Sequence, residues 1–270
     1  MSAATTDRGL RQRAVCWRDS GRASGRGFSL LDVLVSISII AVLISLLLPA
    51  ISKVNETARR VVCQSNIRQI GLGVIMYADV NHGELPPSQF VTMNGVARSD
   101  SPKQNMDMVR VGDPEVPGMY WDGLGVLFRQ GYLDAPKVFY CPSHHGENPY
   151  RVYSSSWLDD EGDIVCNYHY RGSGPQGHRV NAAGVRVQTT RLYLIDPAQS
   201  SLIADGLRTQ SDYNHWVGVN FFRADLTVHW FDDSARTLLL SLPETKDEVS
   251  SSQPVDAAWM MFDASANQAD

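Results

Sequence analysis

The sequence predicts an α+β protein in which a long N-terminal helix packs its second half on an antiparallel β-sheet. Three observations predict this fold. An apolar run covers residues 28–51, an amphipathic 3.6-residue period follows over residues 63–77, and short β-like segments occupy residues 163–231. The 270-residue chain has 43% hydrophobic and 9% aromatic residues, which are values typical of a folded protein.

The apolar run begins the helix and contains one acid. Asp32 is its only ionisable side chain, and residues 33–48 contain none. A bilayer core of about 30 Å requires roughly 20 apolar residues at the helical rise. Residues 28–50 are therefore predicted to be the transmembrane half of the helix. An acid in such a segment is costly, so it indicates a functional role.

Residues 1–27 precede the helix and have a different composition. They are rich in Arg, Ser and Gly without an apolar period, which predicts a disordered cytoplasmic leader. Six Arg and two Asp give this leader a charge of +4, so the whole-chain value of −5 leaves −9 on the remainder. An acidic protein is a poor candidate for general nucleic-acid binding, which depends on neutralising phosphates. The leader's positive charge favours a cytoplasmic N-terminus, although basic residues at 53, 59 and 60 weaken that argument.

The segment around the leader boundary has a recognisable pattern. Gly27, Phe28 and Asp32 stand at the spacing of the prepilin-type cleavage and methylation segment, so the chain resembles type IV pilins and type II secretion pseudopilins. The resemblance implies that a prepilin peptidase cuts after Gly27 and methylates Phe28. It also implies that Phe28 and Asp32 take part in subunit assembly. The family's usual acid is Glu, and Pro49 falls where many pilin helices carry a proline.

Two simpler interpretations of the same segment remain open. A secretory signal peptide has a shorter apolar region and a small-x-small cleavage site, of which residues 48–50 are a poor version. A plain uncleaved anchor explains the hydrophobicity but gives no reason for Gly27 or Asp32.

The second half of the helix, residues 51–82, is predicted to bury one face. The apolar positions follow steps of four, three, four and three residues: Cys63, Ile67, Ile70, Val74 and Tyr77. Residues 81–83, with the prolines at 86 and 87, predict its end.

A globular head, residues 83–243, is predicted to follow. An acidic tail is predicted over residues 244–270, in which the apolar run 259–262 is able to dock. Residues 84–118 are predicted to be an irregular loop and residues 121–130 a short helix that ends at Gly131. The predicted strands are residues 137–140 and 163–170, with hairpin-like pairs 191–195 with 201–204 and 216–222 with 227–231.

Three further segments resemble a large bacterial subfamily of pseudopilin-like proteins. Residues 63–71 resemble a Cys-x-x-Asn-Leu-(Arg/Lys)-Gln-Ile-Gly pattern with Ile67 at the Leu position, and residues 139–143 match Phe-x-Cys-Pro-Ser. His215 and Asp225 match a His-x9-Asp-Gly signature in which Leu226 replaces the Gly. The three patterns occur in the subfamily's order.

Cysteine spacing leaves two interpretations. If Cys16 leaves with the leader, three cysteines remain, so at most one intramolecular disulfide forms. Cys141 can pair with Cys63 or Cys166, and the subfamily resemblance favours the Cys63–Cys141 pair. The alternative is a zinc site, because two Cys-x-x-His spacings are present, formed by Cys141, His144, Cys166 and His169.

The sequence does not predict an enzyme or a resident cofactor. No nucleophile or oxyanion-binding set accompanies His215 and Asp225, so we expect a structural hydrogen bond between them. Besides the zinc alternative, calcium is a second possible metal, because Asp205, Asp212 and Asp225 offer loop carboxylates. No compact calcium-binding loop accompanies them.

Taken together, the residues and the resemblance predict a pilin-like structural subunit. We expect a single-pass inner-membrane protein with a cytoplasmic N-terminus and a periplasmic C-terminal domain. Its expected partners are the prepilin peptidase, the inner membrane and other pilin-like subunits in a homo- or hetero-oligomer, without nucleic acid. The alternative is a membrane-anchored periplasmic binding or metal-binding protein that uses the N-terminal segment only for targeting.

Overall fold

The computed structural model describes residues 29–90, 92–93, 96–97, 105–112, 120–159, 162–175, 179–180, 186–187, 189–245 and 253–265. The expectations for the leader, for Cys16, and for Gly27 and Phe28 therefore lie outside the described residues. The chain divides into two units, residues 1–50 and 51–270.

One long helix, α1 (Leu30–Val80), confirms the predicted N-terminal helix. In its first half the large apolar side chains are exposed, and α1 is long and apolar enough to cross a membrane. In its second half, all five residues of the predicted apolar face are buried. The helix ends where Gly83 adopts a left-handed φ of 83°, in the turn that the sequence predicted.

The remaining helices are short. They are α2 (Gly125–Arg129), α3 (Tyr150–Tyr153), α4 (Thr237–Ser241) and α5 (Gln253–Ala264), with 3₁₀ turns at Pro136–Phe139 and Leu192–Leu194. The strands are β1 (Thr92–Met93), β2 (Val96–Ala97), β3 (Met108–Val111), β4 (Tyr120–Trp121), β5 (Ile164–Val165), β6 (Tyr168–Tyr170), β7 (Arg179–Val180), β8 (Arg186–Val187), β9 (Ser201–Asp205), β10 (Gly218–Arg223) and β11 (Val228–Asp232).

The central sheet of the head has four antiparallel strands in the order β11-β10-β9-β6. A three-stranded sheet has the order β4-β3-β5, and β1 with β2 and β7 with β8 form two-stranded ribbons. The antiparallel architecture confirms the predicted fold class. The β10–β11 hairpin also forms as predicted from residues 216–231.

The central sheet is covered on both faces, which is why all six residues of β10 are buried instead of alternating. On one face, Ile203 and Phe222 join the core that includes the buried face of α1. On the other face, Phe221 joins a second core with Trp259 and Phe262 of α5. Adjacent residues of one strand thus serve different cores because side chains alternate across a sheet.

Three sequence predictions about the head were wrong. Residues 137–140 begin with a 3₁₀ turn, because Pro136 fits its first position and Phe139 stacks on Trp157 at 5.0 Å between ring centroids. Residues 191–195 contain a 3₁₀ turn, and β9 pairs with β6 and β10 instead. The predicted loop 84–118 contributes β3 to a sheet.

The C-terminal segment contains one further helix. Within the range 244–270, α5 buries Val255, Trp259 and Phe262, two of which belong to the run that the sequence indicated could dock. The helix belongs to the head because the second face of the central sheet needs an apolar cover.

Candidate functional site

Four side chains of types that bind metals converge at one buried point of the head. Cys63, Cys141, Asp205 and His215 each offer one ligand atom, and these atoms lie within 4.8 Å of one another. We call these residues the buried cluster. Each of the four has an exposed fraction of 5% or less. They come from separate parts of the chain, so packing of the whole head creates the cluster.

Each member is positioned by a different element. Cys63 is the first residue of the buried face of α1, and Cys141 follows the 3₁₀ turn at Pro136–Phe139. Asp205 ends β9, opposite Tyr168 of β6. His215 lies just before β10, in a tight turn in which Gly218 N–H donates to the His215 carbonyl at 3.3 Å.

The two cysteines approach each other closely. Their Sγ atoms are 2.7 Å apart, and both residues are free thiols in the structure. Cys63 Sγ also lies 3.0 Å from Asp205 Oδ1 and 3.3 Å from the Tyr168 hydroxyl. The third described cysteine, Cys166, lies apart and contacts the Tyr168 carbonyl at 3.2 Å. Of the two predicted disulfide pairs, the structure therefore brings together Cys63 and Cys141.

Asp205 is held by neighbouring amide groups. The backbone N–H of Asn220 donates to its Oδ2 at 2.6 Å, and the Asn220 side-chain amide donates to the same oxygen at 2.9 Å. Asn214 donates to Oδ1 at 3.4 Å. These bonds fix the buried carboxylate at the end of β9, where an unpartnered charge would be costly.

His215 bridges the buried cluster and a partly exposed acid. Its Nδ1 lies 2.6 Å from Glu56 Oε1, while its Nε2 faces Cys141 Sγ at 3.6 Å and Asp205 Oδ2 at 3.7 Å. Glu56 lies on α1, two turns before Cys63, and also accepts a hydrogen bond from Ser143 at 2.9 Å. The carboxylate of Glu56 therefore orients the imidazole ring.

The charges in the buried cluster shift its proton affinities. Burial alone lowers the pKa of His215, but Asp205, Cys141 and Glu56 outweigh it and raise this pKa to about 9. Burial raises the pKa of the Cys63 thiol well above its usual range. Cys141 has a lowered pKa, because its contacts with Cys63 and His215 outweigh the effect of burial. Cys141 is therefore the thiol that ionises first.

A cleft of about 630 Å³ borders the buried cluster, and Cys141 is part of its wall. The lining includes Asn66 of α1, His144, His145 and Tyr150. The cleft gives the Cys141 side of the cluster a route toward solvent.

The other predicted site residues lie elsewhere. Of the predicted zinc set, only Cys141 belongs to the buried cluster, since His144 Nδ1 bonds Asn214 at 2.9 Å and His169 Nδ1 accepts from Leu207 N–H at 3.1 Å. Asp225 accepts hydrogen bonds from Thr227 within its own turn, so the bond expected between His215 and Asp225 is not among its contacts.

The calcium expectation combined three acids that the structure keeps in different environments. Asp205 belongs to the buried cluster and Asp225 to the β10–β11 turn. Asp212 accepts from Thr209 at 2.7 Å.

Asp32 lies at the start of α1 and takes part in a local arrangement. Its carboxylate accepts from the backbone N–H of Ser29 at 3.2 Å, while the Ser29 hydroxyl accepts from the N–H of Leu31 at 3.3 Å. This reciprocal pattern resembles a capping box and stabilises the first turn of the helix, with the Ser29 hydroxyl bonded to the second helical N–H. A local role for Asp32 therefore stands beside the predicted assembly role.

The sequence did not identify most of the residues that surround His215 in the structure. Glu56 and Tyr168 gave no motif signal, and Asp205 was weighed only as a calcium ligand. The one available signal was that Asp205 and His215 are ten residues apart on both sides of a turn-rich segment.

Comparison with known families places the chain. Residues 52–209, more than half of its length, match the model of a family described as "Protein of unknown function (DUF1559)". The chain belongs to this family. The matched DUF1559 region contains Cys63, Cys141 and Asp205, whereas His215 follows it.

No curated protein and no solved structure matches the chain. DUF1559 membership together with the exposed apolar helix fits a membrane-anchored surface protein.

Proposed function

We propose that this DUF1559 protein is a non-catalytic, pilin-like structural subunit. In this proposal it is made as a prepilin, cut after Gly27, methylated at Phe28 and anchored in the inner membrane by the first half of α1. The head then lies in the periplasm and assembles with other pilin-like subunits in a pilus-like or type II secretion-like machine.

The exposed apolar half of α1 is the observation that carries the proposal. Its large apolar side chains, from Leu30 to Ile51, have exposed fractions between 45% and 82%. Such a surface requires an apolar environment outside the chain, which a bilayer or a bundle of similar helices provides. The second half of the same helix packs on a sheet, as the pilin-like resemblance implies.

Asp32 supports assembly through its charge. Among the described residues, the hydrogen bond that its carboxylate accepts comes from Ser29 N–H, which leaves oxygen lone pairs able to accept others. A buried carboxylate in a helix bundle needs a cationic partner, and the amine of a processed Phe28 on a neighbouring subunit would supply one.

The first test is N-terminal peptide mapping of the full chain extracted from membranes that contain a prepilin peptidase. We expect N-methyl-Phe28 as the first residue. A chain that keeps Met1 would instead show a plain anchor, and a terminus near Ile51 would show secretion.

A cross-linking assay then tests assembly. Asp32→Ala should abolish subunit cross-links. Asp32→Asn keeps a group that can cap the helix but loses the charge, so it should abolish the cross-links as well. Asp79→Ala, an exposed acid on the second half of α1, is the matched control. Cross-links that survive in Asp32→Asn but not in Asp32→Ala would leave Asp32 with only its capping role.

A membrane-anchored binding protein is the second candidate, because the cleft of about 630 Å³ could accommodate a small ligand. Normal N-terminal processing without any subunit cross-links would favour this candidate.

A further inference from the structure

We propose that Cys63, Cys141, Asp205 and His215 bind one zinc ion, which joins α1 to the loops and the central sheet of the head. This inference does not depend on the proposed filament role, because all four ligands belong to the folded head unit of residues 51–270.

The distances in the buried cluster approach those of a tetrahedral site. A zinc ion with bonds of about 2.3 Å to sulfur and 2.0 Å to nitrogen or oxygen separates its ligand atoms by roughly 3.3–3.8 Å. The distance from Cys141 Sγ to His215 Nε2 is 3.6 Å, and that from His215 Nε2 to Asp205 Oδ2 is 3.7 Å. The sulfurs at 2.7 Å must separate by about 1 Å, a shift that rotation about χ1 can provide.

The orientation of His215 is that of a metal ligand. Its Nδ1 bonds the Glu56 carboxylate at 2.6 Å, so Nε2 is directed at Cys141 and Asp205. Metal-binding histidines commonly donate their other ring N–H to a carboxylate, which fixes the tautomer and strengthens the ligand. Glu56 is therefore a positioning residue of the site.

Asp205 has matching support. Asn220 bonds Oδ2 through both its backbone and side-chain amides, while Oδ1 points toward the Cys63 sulfur at 3.0 Å. The Tyr168 hydroxyl, 3.3 Å from the same sulfur, can donate to a Cys63 thiolate. Polar groups around the ligands thus disperse the negative charge that two thiolates and a carboxylate would leave around a divalent ion.

The donor types select the metal. Two thiolate sulfurs, one imidazole nitrogen and one carboxylate oxygen suit zinc, whereas calcium and magnesium prefer oxygen ligands throughout. Four protein ligands leave no open coordination position, so the site would stabilise the fold and would not catalyse. Binding releases the two thiol protons and any proton on His215 Nε2 to solvent. The cleft beside Cys141 provides an entry route.

A Cys63–Cys141 disulfide is the competing outcome. It would use the two sulfurs but leave the approach of Asp205 and the Nε2 of His215 unexplained. The zinc site accounts for all four residues, so we favour it.

The test measures metal and thiols on the full chain. The chain is extracted in detergent without oxygen, dialysed against metal-free buffer and analysed by plasma mass spectrometry. We expect about one zinc ion per chain, with two sulfur and two nitrogen or oxygen neighbours in its X-ray absorption spectrum. A metal-free chain that takes up no added Zn²⁺ would overturn the proposal, whether its peptide map shows free thiols or a Cys63–Cys141 link.

Two variants sharpen the test. Cys141→Ser should lose the zinc, whereas Cys166→Ser, a buried thiol outside the cluster, should keep it. Because Cys141→Ser could unfold, Glu56→Gln gives a second readout that keeps all four ligands. Its zinc affinity, measured by competition with a chelating dye, should fall by about 10- to 100-fold. An unchanged affinity would contradict the assignment of His215 as a ligand.

Discussion

The two halves of α1 place their apolar side chains in opposite environments. In the first half, side chains such as Ile40 are exposed, whereas in the second half Ile67 and Ile70 have no exposed surface. The difference lies in the pattern. An apolar surface on all sides cannot be covered by one sheet, while a stripe with a 3.6-residue period can. One helix therefore contains a segment stabilised from outside the chain and a segment stabilised by the head.

Isoleucine truncation should give the largest difference between the halves. Ile67→Ala removes fully buried carbons and leaves a cavity, so it should lower the free energy of unfolding of the head by about 2–5 kcal/mol. Ile40→Ala, on the exposed half, should leave it unchanged. Urea unfolding of the detergent-solubilised chain, followed by tryptophan fluorescence, measures both. Equal losses would show that the halves unfold as one unit.

The second comparison concerns how the free energy of unfolding depends on pH, which we expect to be set by a residue of the head. Asp107 is buried, and although Arg208 lies 3.0 Å away, burial raises the pKa of Asp107 to about 7. An unfolded Asp titrates near 4, so the folded state binds the extra proton between about pH 4 and pH 7. This contribution to stability is present at low pH and is lost as the pH rises through 7.

Unfolding measured across that window tests the assignment. Asp107→Asn should flatten the decline by an amount on the order of 1–3 kcal/mol. Asp32→Asn, on the apolar half, should not alter it. A decline that persists in Asp107→Asn would assign it to another group.

Two glycines of the second half provide a finer comparison. A Cβ on Gly71 would meet the Phe222 ring at 2.4 Å, whereas one on Gly73 would meet Leu127 and Leu133 at 3.3 Å. Gly71→Ala should destabilise the head by about 1–3 kcal/mol through overpacking. In Gly73→Ala, the gain of about 1 kcal/mol in helix propensity should offset the tighter contact. Similar melting temperatures for the two variants would mean that Phe222 moves aside freely.

The long elements of the fold were predictable from the sequence because their patterns are local. The buried face from Cys63 to Tyr77 follows the helical period, and the β10–β11 hairpin joins neighbouring strands. The pairing of β9 was not predictable from neighbouring segments, since its partner β6 lies about 30 residues earlier in the chain. For α5, the sequence indicated that its apolar residues could dock, but not which face of the sheet they would cover, because that contact joins distant parts of the chain.

The candidate site was predictable only in part, for the same reason. The subfamily resemblance drew attention to Cys63, Cys141 and His215 separately. Their meeting with Asp205 depends on how α1, the loop after Phe139 and the end of β9 pack together. Short spacing instead favoured the Cys-x-x-His pairs, whose histidines turn to other partners. Leu226 adopts a left-handed φ of 70° at the position where the subfamily signature has glycine, so the backbone conformation of the turn persists without the glycine.

The opposite orientations of Phe221 and Phe222 restrict how this protein can diverge. A single inserted residue between His215 and Phe221 would exchange the two rings between the cores and displace Asn220 from Asp205. Point substitutions in that segment do not shift the strand register, so they leave each ring in its own core. The length of the segment should therefore stay constant over evolutionary time even where its individual residues drift.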